Sequence, residues 1–248
     1  MSSEHNLTWP LGRSALSVAL LAVAIVGASG CRHRENAVQP PPQSLPPAPA
    51  TPPAGVSAAD LNFVATHQPI LSETGYATWY TAAEGRHTAN GQLFSDWAMT
   101  AANRTLPMGS LVEVTNLKTG QSGVMRITDR GPFVEGRMLD LTIASAKATG
   151  VYREGLARVR MDVYETPEPI DEGGRWCVQI GAFHDERAAI KMKEKLLEIY
   201  PGAKVIEFPG EKSYWVRIRP QNDDRATAEY IQQHVHPSEG NAFLTRLD

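Results

Sequence analysis

The sequence predicts a mainly β barrel domain followed by a small α+β domain of βαββαβ order, both behind an N-terminal leader and a proline-rich tether. Three observations carry this. From residue 75 to about residue 164, short β-like runs are broken by Gly, Asn and Pro and leave room for one short helix, the pattern of a compact barrel. From residue 173, strand-like and amphipathic stretches follow the order βαββαβ, which favours a four-stranded antiparallel sheet with two helices on one face. Ahead of both lie an apolar run of 17 residues and an uncharged run containing eight prolines.

The chain has 248 residues, enough for one or two domains with cores of their own. Its 24 Lys and Arg against 27 Asp and Glu give a net charge of −3, without the basic excess that phosphate-backbone binding needs, so nucleic acid is not the expected partner. Two cysteines cannot support a disulfide scaffold.

Residues 14–30 (SALSVALLAVAIVGASG) are apolar and small, follow a short segment holding Arg13, and end directly at Cys31. At 17 residues the run is marginal for a membrane span and has small residues where a signal peptidase would cut. It resembles a bacterial lipoprotein signal peptide over residues 1–30, in which the Cys31 thiol is acylated. The alternative is an anchor helix with an incidental cysteine. Arg32 in place of Asp after the cysteine implies, by the same resemblance, sorting to the outer membrane. Residues 31–72 are then a lipidated N-terminus and linker. Within them, 39–53 (QPPPQSLPPAPATPP) favours polyproline II and would reach about 45 Å, as a spacer rather than an SH3-type ligand.

In the first globular unit, 73–165, strands are expected at 77–80, 110–115, 123–128 and 157–164, with a loop at 117–121. One helix fits at 143–149, with Thr142 as N-cap and Gly150 past its end. Ten basic and ten acidic residues leave this unit no net field for a polyanion.

Four motifs here carry a resemblance: GYATWY at 75–80, GRHTANG at 85–91, MTAANRTLPMG at 99–109 and RITDRGPF at 126–133. In this order over some 90 residues they resemble the double-psi β-barrel of the rare lipoprotein A family. That resemblance implies a septal, lipid-anchored lytic transglycosylase that cuts peptidoglycan strands stripped of stem peptides, with no cofactor. Such a reaction needs a proton on the leaving oxygen, while the sugar's own C6 hydroxyl closes onto C1, so one acid that later serves as base can suffice. The spacing rule for paired carboxylates of hydrolases need not apply.

Asp129 is the candidate for that group, since a strand-like run delivers it to an Arg-Gly-Pro turn; the alternative is a turn-capping or arginine-paired aspartate. A neighbouring Arg130 would oppose acid catalysis unless it points away. Where the family usually has Glu and His, this chain has Gln92 and Asn103, amides that exchange no proton near neutral pH but can hydrogen-bond a sugar. His87 in the same loop could supply an imidazole, against the plainer reading of a solvated loop histidine. Asp140, in RMLDLT, also matches the family and is expected to hold a turn or close the barrel. Trp79 and Tyr80 could stack on a sugar ring or simply be buried.

Residues 166–172 read as a linker, and 173–248 as the second unit. Strands are expected at 176–183, 203–208, 213–219 and 242–247, with helices at 185–200 and 224–234, the first showing Ala189, Met192, Leu196 and Ile199 at 3-4-3 spacing. VQIGAF at 178–183 and YWVRI at 214–218 resemble a SPOR repeat, which implies binding of peptide-free glycan at the division site. If Trp176, Val178 and Ile180 pack under the helices, alternation puts Cys177, Gln179 and Phe183 outward. Likewise Trp215, Arg217 and Arg219 face out if Tyr214, Val216 and Ile218 face in. Gln179, Trp215 and Arg217 on an open sheet would then hold a sugar strand, unless Trp215 is an edge residue covered by the other domain. An RNA-recognition sheet would look similar, but export and eleven basic against eleven acidic residues argue against it.

The leading expectation is therefore a lipid-anchored endolytic lyase facing the periplasm and enriched at the septum, with glycan strands, the membrane and septal proteins as partners. The second is a weakly active or non-catalytic glycan-binding relative, favoured by Gln92 and Asn103. A purely structural tether would not need four groove-loop motifs. The histidines are scattered and Cys177 lacks a CxxC partner, so no metal site is expected.

Overall fold

The computed structural model describes residues 55–210 and 213–248. The leader, Cys31 and the proline run lie outside the described residues. Among the described residues no helix is long and apolar enough to cross a membrane.

The first element is a helix that the sequence did not suggest, α1 (Ala58–Thr66), started by a capping box in which Ser57 and Asp60 satisfy each other's backbone N–H groups. Six strands then close a barrel: β1 (Leu71–Trp79), β2 (Thr100–Ala102), β3 (Leu111–Asn116), β4 (Ser122–Asp129), β5 (Arg137–Leu141) and β6 (Ala157–Glu165), in the order β1-β5-β2-β4-β3-β6. The β1–β5 and β2–β4 pairs are parallel and the others antiparallel. Strand alternation fills the interior with Val112, Val114, Met125, Ile127, Leu139, Leu141, Val159, Met161 and Val163, all fully buried. The expected helix appears as α2 (Ile143–Ala148), N-capped by Thr142, followed after Gly150 by the single turn α3 (Val151–Glu154). Strands β2 and β5 were not expected. Three residues are too few to show a period, and β5 (RMLDL) directs Arg137 and Asp140 into a groove where solvent-facing residues would otherwise stand.

The second unit follows the expected order: β7 (Trp176–Phe183), α4 (Glu186–Ile199), β8 (Lys204–Pro209), β9 (Tyr214–Arg219), α5 (Arg225–His234) and β10 (Asn241–Arg246). The sheet order is β10-β7-β9-β8, antiparallel throughout. Asp185 and Asp224 cap the two helices through the Ala188 and Thr227 N–H groups, at 2.9 and 2.8 Å. Ala189, Met192 and Leu196 of α4, with Ala228 and Ile231 of α5, cover Trp176, Val178, Ile180, Val216 and Ile218.

Two expectations about this sheet are corrected. Phe183 packs into the core and not outward, because the register of β7 against β9 shifts between Ile180 and Phe183 and changes which side it faces. The opposite face is not open: Gln179 is only 4% exposed, and Phe243 and Thr245 are buried. The barrel covers it. The Phe133 ring lies 5.6 Å from the Trp215 ring and 5.9 Å from that of Phe243. The Arg246 and Met108 N–H groups donate to the Arg104 and Asp248 carbonyls, at 2.8 and 3.2 Å.

Candidate active site

Strand β2 is the pivot of the site. Its Ala102 pairs with Asp129 of β4 on one side and Asp140 of β5 on the other, so three adjacent strands set the two carboxylates side by side across a methyl group. At about 4.8 Å per strand their backbones stand about 10 Å apart. Both open into one groove of about 690 Å³. Tyr80, Arg86 and Arg137 line it from the barrel, and Gln179, Phe208 and Trp215 from the second sheet.

Asp129, its side chain 5% exposed, spends both oxygens as acceptors. Oδ1 takes the N–H groups of Ala89 and Arg130, at 3.0 and 2.9 Å. Oδ2 takes the Tyr80 hydroxyl at 3.2 Å and Arg86 Nη2 at 3.4 Å. Burial first, and then the Asp129 charge, push the Tyr80 phenol well above its usual range, so it remains a donor. The Arg130 guanidinium points away from the carboxylate to the Asn103 and Leu106 carbonyls and the main-chain oxygen of Asp248.

Asp140 is the opposite case. Oδ2 accepts one bond, from Arg137 Nη2 at 3.3 Å, and buried Oδ1 has no partner. Burial pushes its pKa up to about 6; Arg137 and Arg104 oppose that rise and Asp129 adds to it. Sequence reasoning gave this residue a structural role. The available signal was the alternation of RMLDL, which sets Asp140 opposite the core residues Leu139 and Leu141.

The remaining candidates divide. Tyr80, Asp129, Gln179 and Trp215 meet in the groove, and Arg217 donates to Gln179 Oε1 at 2.9 Å while its guanidinium lies 5.1 Å from the Phe208 ring. Trp79 faces the other way from Tyr80, packs on the barrel core and meets the Tyr152 ring at 5.0 Å. Asn103 is buried, and its amide serves the backbone: Oδ1 accepts from the Thr105 and Leu106 N–H groups at 2.9 Å, and Nδ2 donates to the Met138 carbonyl at 3.2 Å. Gln92 and His87 are exposed on a loop outside the groove lining. Among the described residues no three His, Cys, Asp or Glu side chains converge as a metal-binding group.

Comparison with known proteins agrees with this architecture. The family described as "Lytic transglycolase" matches residues 72–161, and the SPOR domain matches residues 172–245. Proteins named "Endolytic peptidoglycan transglycosylase RlpA" are similar in sequence. The Vibrio cholerae protein is 44% identical over 100 residues, covering 40% of this chain and 38% of that protein. A Pseudomonas aeruginosa protein is 47% identical over 89 residues, covering 36% and 26%. A Helicobacter pylori protein is 32% identical over 201 residues, covering 69% and 63%. The chain thus spans less than two thirds of the length of each of these relatives. With a double-psi barrel followed by a SPOR domain, each matched over nearly its whole extent, the chain belongs to the rare lipoprotein A family.

Proposed function

We propose that this chain is an endolytic lytic transglycosylase of peptidoglycan glycan strands, with Asp140 as the proton-carrying group and Asp129 as a fixed negative charge beside the reacting sugar. The observation that carries the reading is the pairing of the two carboxylates across Ala102 with opposite environments, one saturated with donors and one with a bare oxygen. Protonated Asp140 would give its proton to the glycosidic oxygen as the bond from C1 to that oxygen breaks. Positive charge then develops at C1 and the ring oxygen, where Asp129 stabilises it. The sugar's C6 hydroxyl closes onto C1 and its proton goes to Asp140, which ends the cycle protonated. Gln92 and Asn103 need take no part, because neither side chain lines the groove.

We place this activity in the cell envelope, on strands freed of stem peptides at the division septum, with Cys31 lipidated for the outer membrane. The support is the relatives' names, the SPOR domain and the leader pattern. A free lactyl carboxylate on alternate sugars suits a groove lined by Arg86 and Arg137. Cys31→Ala should shift the protein out of the membrane fraction, and unchanged fractionation would remove the lipid anchor.

The direct test of the chemistry is incubation of the purified protein with peptide-free strands and detection of anhydro-ended products by mass spectrometry. Asp140→Asn should abolish them and Asp129→Asn should lower the rate by about 10²-fold or more. Full activity in Asp140→Asn would remove that residue from the mechanism. No product from the parent, with glycan binding intact, would leave the non-catalytic binding reading.

A further inference from the structure

Trp215 and Gln179 belong to the face that a SPOR domain would be expected to offer to glycan by itself. Here that face does not look into solvent. The aromatic ring of Trp215 sits in a slot made by two glycines: a Cβ at Gly181 would come 2.8 Å from Trp215 Cε3, and one at Gly210 would come 2.8 Å from Nε1. The slot aims the indole at the Phe133 turn that follows Asp129 and Arg130. Across from it stand Tyr80, Asp129 and Asp140. The two domains are joined by contacts in which the Arg130 guanidinium reaches the main chain after β10 and the Arg246 N–H donates to the Arg104 carbonyl. Buried polar groups near the groove lack partners on both sides, Asp140 Oδ1 and Arg137 Nε on the barrel and Arg217 Nε on the sheet. Such groups are expected to be satisfied by a ligand or by water.

We propose that the two domains share one glycan site, in which the SPOR sheet face forms the second wall of the reaction groove and Trp215 stacks on a sugar of the strand lying against Asp129 and Asp140. The occupant is a peptide-free amino-sugar strand. Its ring faces suit Trp215, and its hydroxyl, acetamido and carboxylate groups suit Gln179, Arg86 and Arg137. A strand carrying stem peptides would have to pass them between the two walls, so the second domain also excludes substituted strands. This proposal takes its substrate from the function proposed above.

The test is titration calorimetry of the full protein with a purified peptide-free glycan oligosaccharide, using the Asp140→Asn background to prevent turnover, alongside cleavage rates in the parent background. One oligosaccharide should bind per chain. Trp215→Ala should weaken that single event about 10-fold or more, Trp215→Phe should restore most of it, and Arg86→Ala, on the opposite wall, should weaken the same event. In cleavage, Trp215→Ala should raise KM and Trp215→Phe should recover it. Two independent binding events, with Trp215→Ala removing one while KM and kcat stay at parental values, would overturn the shared site and leave the lyase reading standing. A single event sensitive to both walls in a protein that cleaves nothing would keep the shared site and overturn the lyase reading. No binding at all would overturn both.

Discussion

A carboxyl group kept near pH 6 by burial has two consequences at Asp140, one for rate and one for stability. In the role of proton donor proposed above it would work only while protonated, so kcat/KM should fall about tenfold per pH unit as pH rises above about 6. For stability, the folded pKa lies above the usual carboxylate value of 3.8, so the native state holds the proton more tightly than the unfolded chain. Below about pH 4 both states are protonated and nothing is lost. As pH rises from about 4 through 6 the unfolded chain releases its proton first, and the fold loses up to about 3 kcal/mol. Asp140→Asn should therefore melt higher than the parent at pH 7.5, with the difference closing toward pH 4. A variant less stable than the parent at pH 7.5 would mean that Asp140 contributes more through Arg137 than it costs by burial. Asn103 illustrates the reverse assignment: its amide oxygen closes the turn at 103–106 by accepting two backbone N–H groups, so its replacement should cost stability before it costs chemistry.

Among the elements, β7 is the most constrained. It is central in the sheet, nearly all of it is buried, and at Gly181 the backbone has φ +142° with the Trp215 ring directly above. Only glycine meets both conditions, since a side chain would be strained by the backbone and would collide with the indole and the Tyr214 carbonyl. Gly181→Ala should cost about 2 kcal/mol, read as a lower urea midpoint, and should displace Trp215. A midpoint within experimental error of the parent would show that the strand can move away from β9. The helices α4 and α5 depend more on local signals. Each starts at an aspartate whose carboxylate accepts the N–H three residues on, and Asp224→Ala should cost about 1 kcal/mol.

For the molecule as a whole, the barrel and the second sheet bury an interface containing Phe133, Trp215, Phe243 and the Arg130 guanidinium. Arg130 sits in that interface with burial pushing its pKa down to about 10, and three main-chain oxygens depend on it. The two domains should unfold in a single calorimetric transition. Arg130→Met should take the guanidinium donor away from the Asn103 and Leu106 carbonyls and leave the Asp248 oxygen with the Met108 N–H alone, lower stability by about 3 kcal/mol and split the transition in two. A single, unshifted transition in the variant would place the coupling between the domains elsewhere.

Much of this was legible in the chain. The inward residues of β3 and β4, the 3-4-3 stripe of α4, the caps Thr142, Asp185 and Asp224, and the βαββαβ order are local patterns, set by periods of two and 3.6 residues and by hydrogen bonds spanning three. The four loop motifs pointed to the family and to Asp129. What the sequence could not supply depends on partners far away in the chain. The three residues of β2 become a strand only because β4 and β5 flank them, and that pairing sets Asp140 beside Asp129. Phe183 changes sides through a register shift against β9 that no alternation within β7 records. Trp79 packs on the barrel core and Asn103 serves a backbone turn, while Trp215, a candidate on the second sheet, lines the same groove as the barrel residues because the two domains pack together there. Local periodicity decides which face a residue takes, but only the packing of distant segments decides what that face meets: the oxygens of Asp129 meet four donors, while buried Oδ1 of Asp140 meets none.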